Sequence, residues 1–116
     1  MIKNSSHRAA GQAIENVLRN ALRYTPASQK VSIVLFDLPG IYQIDIIDQG
    51  PGVPDELLKA IFMPFFRVEK SRENNGSSFG LGLALAKRQL AAIRGSIEAH
   101  NSPTVGLVMT IILPKS

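Results

Sequence analysis

Ile46-Ile47-Asp48-Gln49-Gly50-Pro51-Gly52 reads as a strand that ends in one carboxylate and then in two glycines. From position 42 to 48 the side chains alternate faces, so Tyr42, Ile44, Ile46 and Asp48 share one side, and Gln43, Asp45 and Ile47 the other. The acid therefore falls on the apolar face. A carboxylate taken out of water costs several kcal/mol unless something donates hydrogen bonds to it. No Lys or Arg lies within ten residues on either side to serve as a local partner. The glycines let the backbone take positive φ and let another molecule approach, and Pro51 stiffens the turn between them. A carboxylate under such a turn is placed to accept from an exocyclic amine such as that of adenine. The same spacing also suits an Asp that merely caps its own turn, and the rest of the chain has to choose.

Immediately upstream, the apolar run 31–36 is a strand and Asp37-Leu38-Pro39-Gly40 a turn, so that Tyr42 to Asp48 returns as the second arm of a hairpin. Before it, a helix is expected over 8–24, with Ser6 at its cap and Thr25-Pro26 at its end. Ile14, Val17, Leu18, Ala21 and Leu22 form its apolar stripe. Asn16, Asn20 and Arg23 then cluster opposite that stripe, with Tyr24 at the edge. One Asn there is an ordinary solvated residue, but two Asn one turn apart are unusual because Asn is a poor helix former.

Downstream, a short helix is expected over 55–61, with Asp55 and Glu56 at its positive end. The three Phe of Phe62-Met63-Pro64-Phe65-Phe66-Arg67 read as a plug that anchors a loop. The stretch 68–79 is polar and without period, which in a small domain suggests a lid. It leads into Gly80-Leu81-Gly82-Leu83 and a helix over 83–94. Glycines at a helix start free backbone N–H groups to face an anion, or simply give a flexible entry to a core helix. Gly95 ends that helix, and strands at 96–100 and 107–113 follow, joined through Asn101-Ser102-Pro103. In the last strand Thr110 shares a face with Val108 and Ile112.

The bulk numbers limit the choices. At 116 residues the chain suits one domain, 1–116, and its 45% hydrophobic and 19% charged residues mark it as globular. No apolar run reaches the roughly 18 to 20 residues of a membrane span. The net charge of +4 suits a polyanion such as a nucleotide. With no Trp and two Tyr there is no aromatic stripe for single-stranded nucleic acid. The lack of Cys removes disulfides and thiolate chemistry and fits a reducing compartment. A P-loop is excluded because 76–80 lacks its spacing and its Lys-Ser/Thr, and a dinucleotide fingerprint because Leu85 stands where Gly or Ala is needed. His7 and His100 are the only histidines, and there is no Gly-x-Ser-x-Gly elbow.

Four pieces remain in fixed order: Asn16-x-x-x-Asn20-Ala21-x-Arg23-Tyr24, Asp48-x-Gly50-x-Gly52, Phe62-x-Pro64-Phe65-Phe66-Arg67 and Gly80-Leu81-Gly82-Leu83. Together they resemble the catalytic, ATP-binding domain of sensor histidine kinases, within the gyrase, Hsp90, histidine kinase and MutL group of ATPases. The resemblance runs over 8–114. The wording of 15–24 looks most like the envelope-stress, Cpx-type kinases.

The resemblance implies a two-layer α/β sandwich (the Bergerat ATP-binding fold), with a mixed, mainly antiparallel sheet, three helices on one face and an ATP lid. It also implies a strand ahead of the first helix, cut short at Ile2. By the family's roles, Asn20 ligates Mg²⁺ with Asn16 beside it, Arg23 faces the phosphates and Tyr24 lies against the nucleotide. Asp48 accepts from the adenine amino group, with Thr110 joined to it through a water, and Gly50 and Gly52 let the backbone pass the base. Gly80, Leu81 and Gly82 offer N–H groups to the phosphates, and Arg67, Lys70 and Arg72 reach over from the lid. ATP and Mg²⁺ are thus the expected ligands.

Two departures from the family pattern matter. Ser78 and Phe79 replace the first Gly and the small residue that usually open the second glycine box. Asn16 stands where ATPases of the wider group carry a Glu that activates water, and Glu15 is about 100° away round the helix. An amide there argues for transfer to another acceptor over hydrolysis.

In the family that acceptor is a His in a separate dimerising helical hairpin, and neither histidine here sits in such a motif. The expectation is an excised catalytic domain, cytoplasmic in an inner-membrane sensor. Its partners would be its own dimerisation and phosphotransfer domain and a response regulator, with no nucleic acid and no membrane contact. An anti-sigma-factor-type serine kinase, or a nucleotide-gated interaction module without kinase activity, are the alternatives.

Overall fold

A computed structural model of the chain describes residues 4–66 and 81–115. Helix α1 (Asn4–Tyr24) is followed by strands β1 (Ser32–Leu38) and β2 (Ile41–Ile47), and then by two 3₁₀ turns, Asp55–Leu57 and Ala60–Phe62. Helix α2 (Gly82–Ala92) and strands β3 (Ser96–Asn101) and β4 (Leu107–Pro114) complete the order. The strands lie side by side as β1-β2-β4-β3, and every described pairing is antiparallel. The helices and the sheet form the two-layer α/β arrangement expected. Where one helix was expected over 55–61 the chain winds as two separate 3₁₀ turns, hydrogen-bonded from Leu57 N to Pro54 O and from Met63 N to Ala60 O. None of the described helices is long and apolar enough to cross a membrane.

The core lies between one face of the sheet and the two helices. Ile44 and Ile46 of β2, Met109, Ile111 and Leu113 of β4 and Ile97 of β3 supply the sheet side. Val17 of α1 and Leu83, Ala86 and Leu90 of α2 pack onto them. Register places Ile46 opposite Met109 and Ile44 opposite Ile111, so the alternation read from the sequence sets which residues are covered. Edge strand β1 differs. Ile33 and Leu35 pair with Ile46 and Ile44 and face the same way, yet they are 53% and 63% exposed, because the described helix layer stops short of this edge. The strand expected at Ile2 lies outside the described residues.

Three local expectations change. Helix α1 already runs from Asn4, so Ser6 lies inside it and does not cap it. Of its expected stripe Val17 and Ala21 are buried and Ile14 and Leu18 pack partly buried against the core, but Leu22 is 57% exposed, and Ala10 and Ala13 extend the buried face on the other side. Ala13 at the edge of this buried face lies about 60° from Asn16 and about 20° from Asn20 at 100° per residue, so the face reaches toward both amides. Both amides therefore flank the packed face of α1. The third change concerns the aromatic plug, which holds for Phe62 and Phe66 but not for Phe65. There the chain turns through Pro64 and Phe65, with Phe66 N bonded to Met63 O at 3.2 Å. Phe65 takes φ 67°, the left-handed position of a type II turn, and points to solvent.

Candidate nucleotide site

Asp48 follows the last residue of β2 and is 4% exposed. Its backbone continues the ladder, since Asp48 N donates to Leu107 O at 3.0 Å. Leu107 N returns the bond, donating to Asp48 Oδ1 at 2.9 Å, and Gly50 N donates to the same oxygen at 2.9 Å. Two backbone N–H groups thus supply the partner that burial demanded. The turn-capping and ligand-binding readings of this acid both find an oxygen. Oδ1 caps the turn, whereas Oδ2 has no hydrogen-bond partner among the described residues, and Asp48 lines a cleft.

That cleft opens to solvent between the helix layer and the loop after β2. Asn20 and Tyr24 line it from α1, Gly52 and Val53 from the loop, Phe66 from the aromatic turn and Leu83 from α2. Four of the residues singled out in the sequence, Asn20, Tyr24, Asp48 and Gly52, therefore meet in one place. Gly50 stands behind Tyr24, where a Cβ would lie 2.7 Å from Tyr24 O. The Arg23 guanidinium sits beside the cleft, 5.7 Å from the Tyr24 ring centroid. Asn16, one turn before Asn20, donates through Nδ2 to Gln89 Oε1 of α2 at 3.3 Å. Leu81 precedes α2 and Gly82 opens it, and no side chain caps this end. Arg67, Lys70, Arg72 and Gly80, with Ser78 and Phe79 of the altered glycine box, lie outside the described residues.

Thr110 is not part of the site. It pairs with Asp45 across β2 and β4, and its hydroxyl donates to Asp45 Oδ1 at 2.9 Å. Asp45 and Asp48 are an odd number of residues apart and point to opposite faces of the sheet, so Thr110 sits behind the site. Leu107 does the job assigned to it, through a backbone N–H that no side-chain motif announces.

Three further residues escaped the sequence reading. Asn101 accepts from Val53 N at 3.0 Å and donates to Val53 O at 2.6 Å and to Asp55 Oδ1 at 3.0 Å, clamping the loop that forms the cleft wall. Thr25 Oγ1 accepts from Gln49 N at 3.0 Å and ties the same loop to the end of α1. Gly106 has φ 90°, and a Cβ on it would lie 1.9 Å from Asp48 O, so no other residue fits there. A lone Gly entering the last strand and an Asn in a turn were the only signals available.

The sequence from 6 to 116 matches the model of the histidine kinase-, DNA gyrase B-, and HSP90-like ATPases. The chain belongs to this ATPase family. Its similarity is to the sensor kinase branch. It is 40% identical over 106 residues to the sensor histidine kinase CpxA of Escherichia coli, a stretch that covers 91% of this chain and 23% of that protein. Among solved structures it superposes on the mycobacterial sensor histidine kinase MprB with a TM-score of 0.83, at 32% identity, covering 92% of this chain and 72% of that one. It also superposes on full-length ShkA in complex with AMPPNP, with a TM-score of 0.73 at 27% identity, covering 89% of this chain and 20% of that one. The chain thus spans about a quarter of the curated relatives it matches. As a member of this ATPase family, it is a domain that binds ATP.

Proposed function

We propose that the cleft binds Mg²⁺·ATP and that the domain hands the γ-phosphoryl group to a His on a separate dimerising domain, from which a response regulator receives it. The observation that carries this reading is the meeting of the spare Asp48 oxygen and the Asn20 amide in one cleft. Asp48 Oδ2 is an acceptor at the buried end and suits the adenine amino group. Tyr24 and the Pro51 to Val53 loop offer flat and close-approaching walls for the ring. At the other end Asn20 lines the cleft, and Asn16 stands one helical turn before it on α1; their neutral, hard amide oxygens are a donor type that fits Mg²⁺, which keeps most of its ligands as water and phosphate. Bound there, Mg²⁺ would supply charge neutralisation for the phosphates and help fix their geometry. Arg23 and the open start of α2 add positive charge and N–H donors on the phosphate side. Positioning and charge neutralisation are the greater part of phosphoryl transfer, so this set is sufficient in kind.

Transfer is favoured over hydrolysis because the described cleft lacks a carboxylate free to activate water. Among the described residues Asp48 is the only acidic one lining it, at the buried end, and Glu15 is held by Arg19 at 2.6 Å on the exposed side of α1. We place the domain on the cytoplasmic side of a membrane sensor, where ATP is available. Incubation with γ-labelled ATP and a His-bearing helical hairpin tests the reading. Mg²⁺-dependent label on the hairpin that is lost in acid and kept in base is the expected result. Label on a serine, or release as free phosphate alone, contradicts it.

A further inference from the structure

We infer that Gln89 fixes the direction of the Asn16 amide and so keeps its oxygen available to a cation. This inference rests on the Mg²⁺·ATP reading of the cleft. Asn16 Nδ2 donates to Gln89 Oε1 at 3.3 Å, and Gln89 Nε2 donates in turn to Gln12 Oε1 at 3.1 Å. Three side-chain amides thus form a chain across α1 and α2, two from one helix and one from the other. Asn16 Oδ1 has no hydrogen-bond partner among the described residues.

An amide chain can run in either sense with the same number of hydrogen bonds, because each group carries one oxygen and one NH₂. Without a ligand the two senses differ little. A cation at Asn16 breaks that tie, since it accepts only an oxygen. Asn16 must then donate through nitrogen, Gln89 must present its oxygen to Asn16, and Gln12 must present its oxygen to Gln89. The observed chain runs in that sense. Gln89 is therefore a positioning residue that acts through Asn16, in the way that outer partners orient the ligands of a metal. The plain alternative is that Gln89 only fastens the two helices together.

The two accounts separate in a titration of the folded domain with a non-transferable ATP analogue, with and without Mg²⁺. Gln89→Met keeps helix propensity and length but removes the acceptor. It is expected to raise the Mg²⁺ concentration for half-maximal nucleotide binding by about tenfold. Nucleotide affinity without Mg²⁺ should stay within about twofold of the parent, since the adenine end is untouched. Gln89→Glu restores the acceptor and should bring the Mg²⁺ requirement back to the parent's or below it. Gln12→Met, which loosens only the far end of the chain, should fall between, and circular dichroism verifies that each variant is folded.

An unchanged Mg²⁺ requirement in folded Gln89→Met overturns the inference, as does an equal loss with and without Mg²⁺ or a failure of Gln89→Glu to rescue. Should Gln89→Met not fold, the Gln89→Glu and Gln12→Met titrations still decide. A parent protein whose nucleotide binding ignores Mg²⁺ overturns the cleft reading itself, and this inference with it.

Discussion

At one end of the cleft Asp48 is buried, with one oxygen held by two backbone N–H groups, and the loop beside it is clamped by Asn101 and tied down by Thr25. At the other end Asn20 is half-buried, Arg23 and Tyr24 are exposed, and α2 begins without a side-chain cap. The first end is complete before a ligand arrives and presents a single unused acceptor. The second consists of polar groups that are still hydrated and have their best partners in what a ligand brings. Each arrangement follows from the cost of burial. A neutral ring edge can be matched by a dry, preformed surface, whereas phosphate-binding groups buried without phosphate would be left unsatisfied.

The sharpest way to break this contrast is at the dry end. Gly106→Ala puts a Cβ on Asp48 O at a φ that L residues rarely adopt, and should destabilise the domain by about 3 kcal/mol, read as a fall in Tm. An unchanged Tm would show that this end is not tightly built. Asp48→Asn comes next. Its amide oxygen can still accept from Gly50 and Leu107, so the fold survives, but the atom facing the cleft becomes a donor. Adenine nucleotide affinity should fall by about 1 to 3 kcal/mol in calorimetric titration. Asn20→Ala, at the wet end, should cost about 1 kcal/mol, and only with Mg²⁺ and a triphosphate present. Adenosine, which lacks phosphates, should bind as before, and an equal loss for adenosine would erase the distinction between the ends. Thr110→Val should change nucleotide affinity by less than about 0.5 kcal/mol, since it faces the opposite side of the sheet.

Legibility in the sequence followed the same division. The alternation from Tyr42 to Asp48 was enough to place the acid on the buried face, because period two admits only two answers. The hairpin, the last two strands and the Asn20 to Asp48 meeting were also readable, since turn residues and spacing stood in the chain itself. Side-chain motifs could not show what the backbone does. Leu107, Gly106 and Asn101 act through an N–H, a missing Cβ and a turn contact, and Thr110 looked more suitable than any of them because it carries a hydroxyl. The stripe on α1 was read too far round at one edge for a related reason. Leu22 outweighs Ala10 and Ala13 in hydrophobicity, but close helix packing selects small residues, and the buried face extends toward Asn16 and Gln89. Edge strand β1 reads as apolar as β2, and only the reach of the helix layer tells them apart.

The claim that the unused Asp48 oxygen reads a purine amine is open to one direct measurement: competitive titration of the domain, in Mg²⁺, with ATP and with the corresponding purine riboside triphosphate that lacks the 6-amino group. ATP should bind about 10 to 100-fold more tightly, and Asp48→Asn should remove most of that difference. Equal affinity of the parent protein for the two nucleotides would contradict the account.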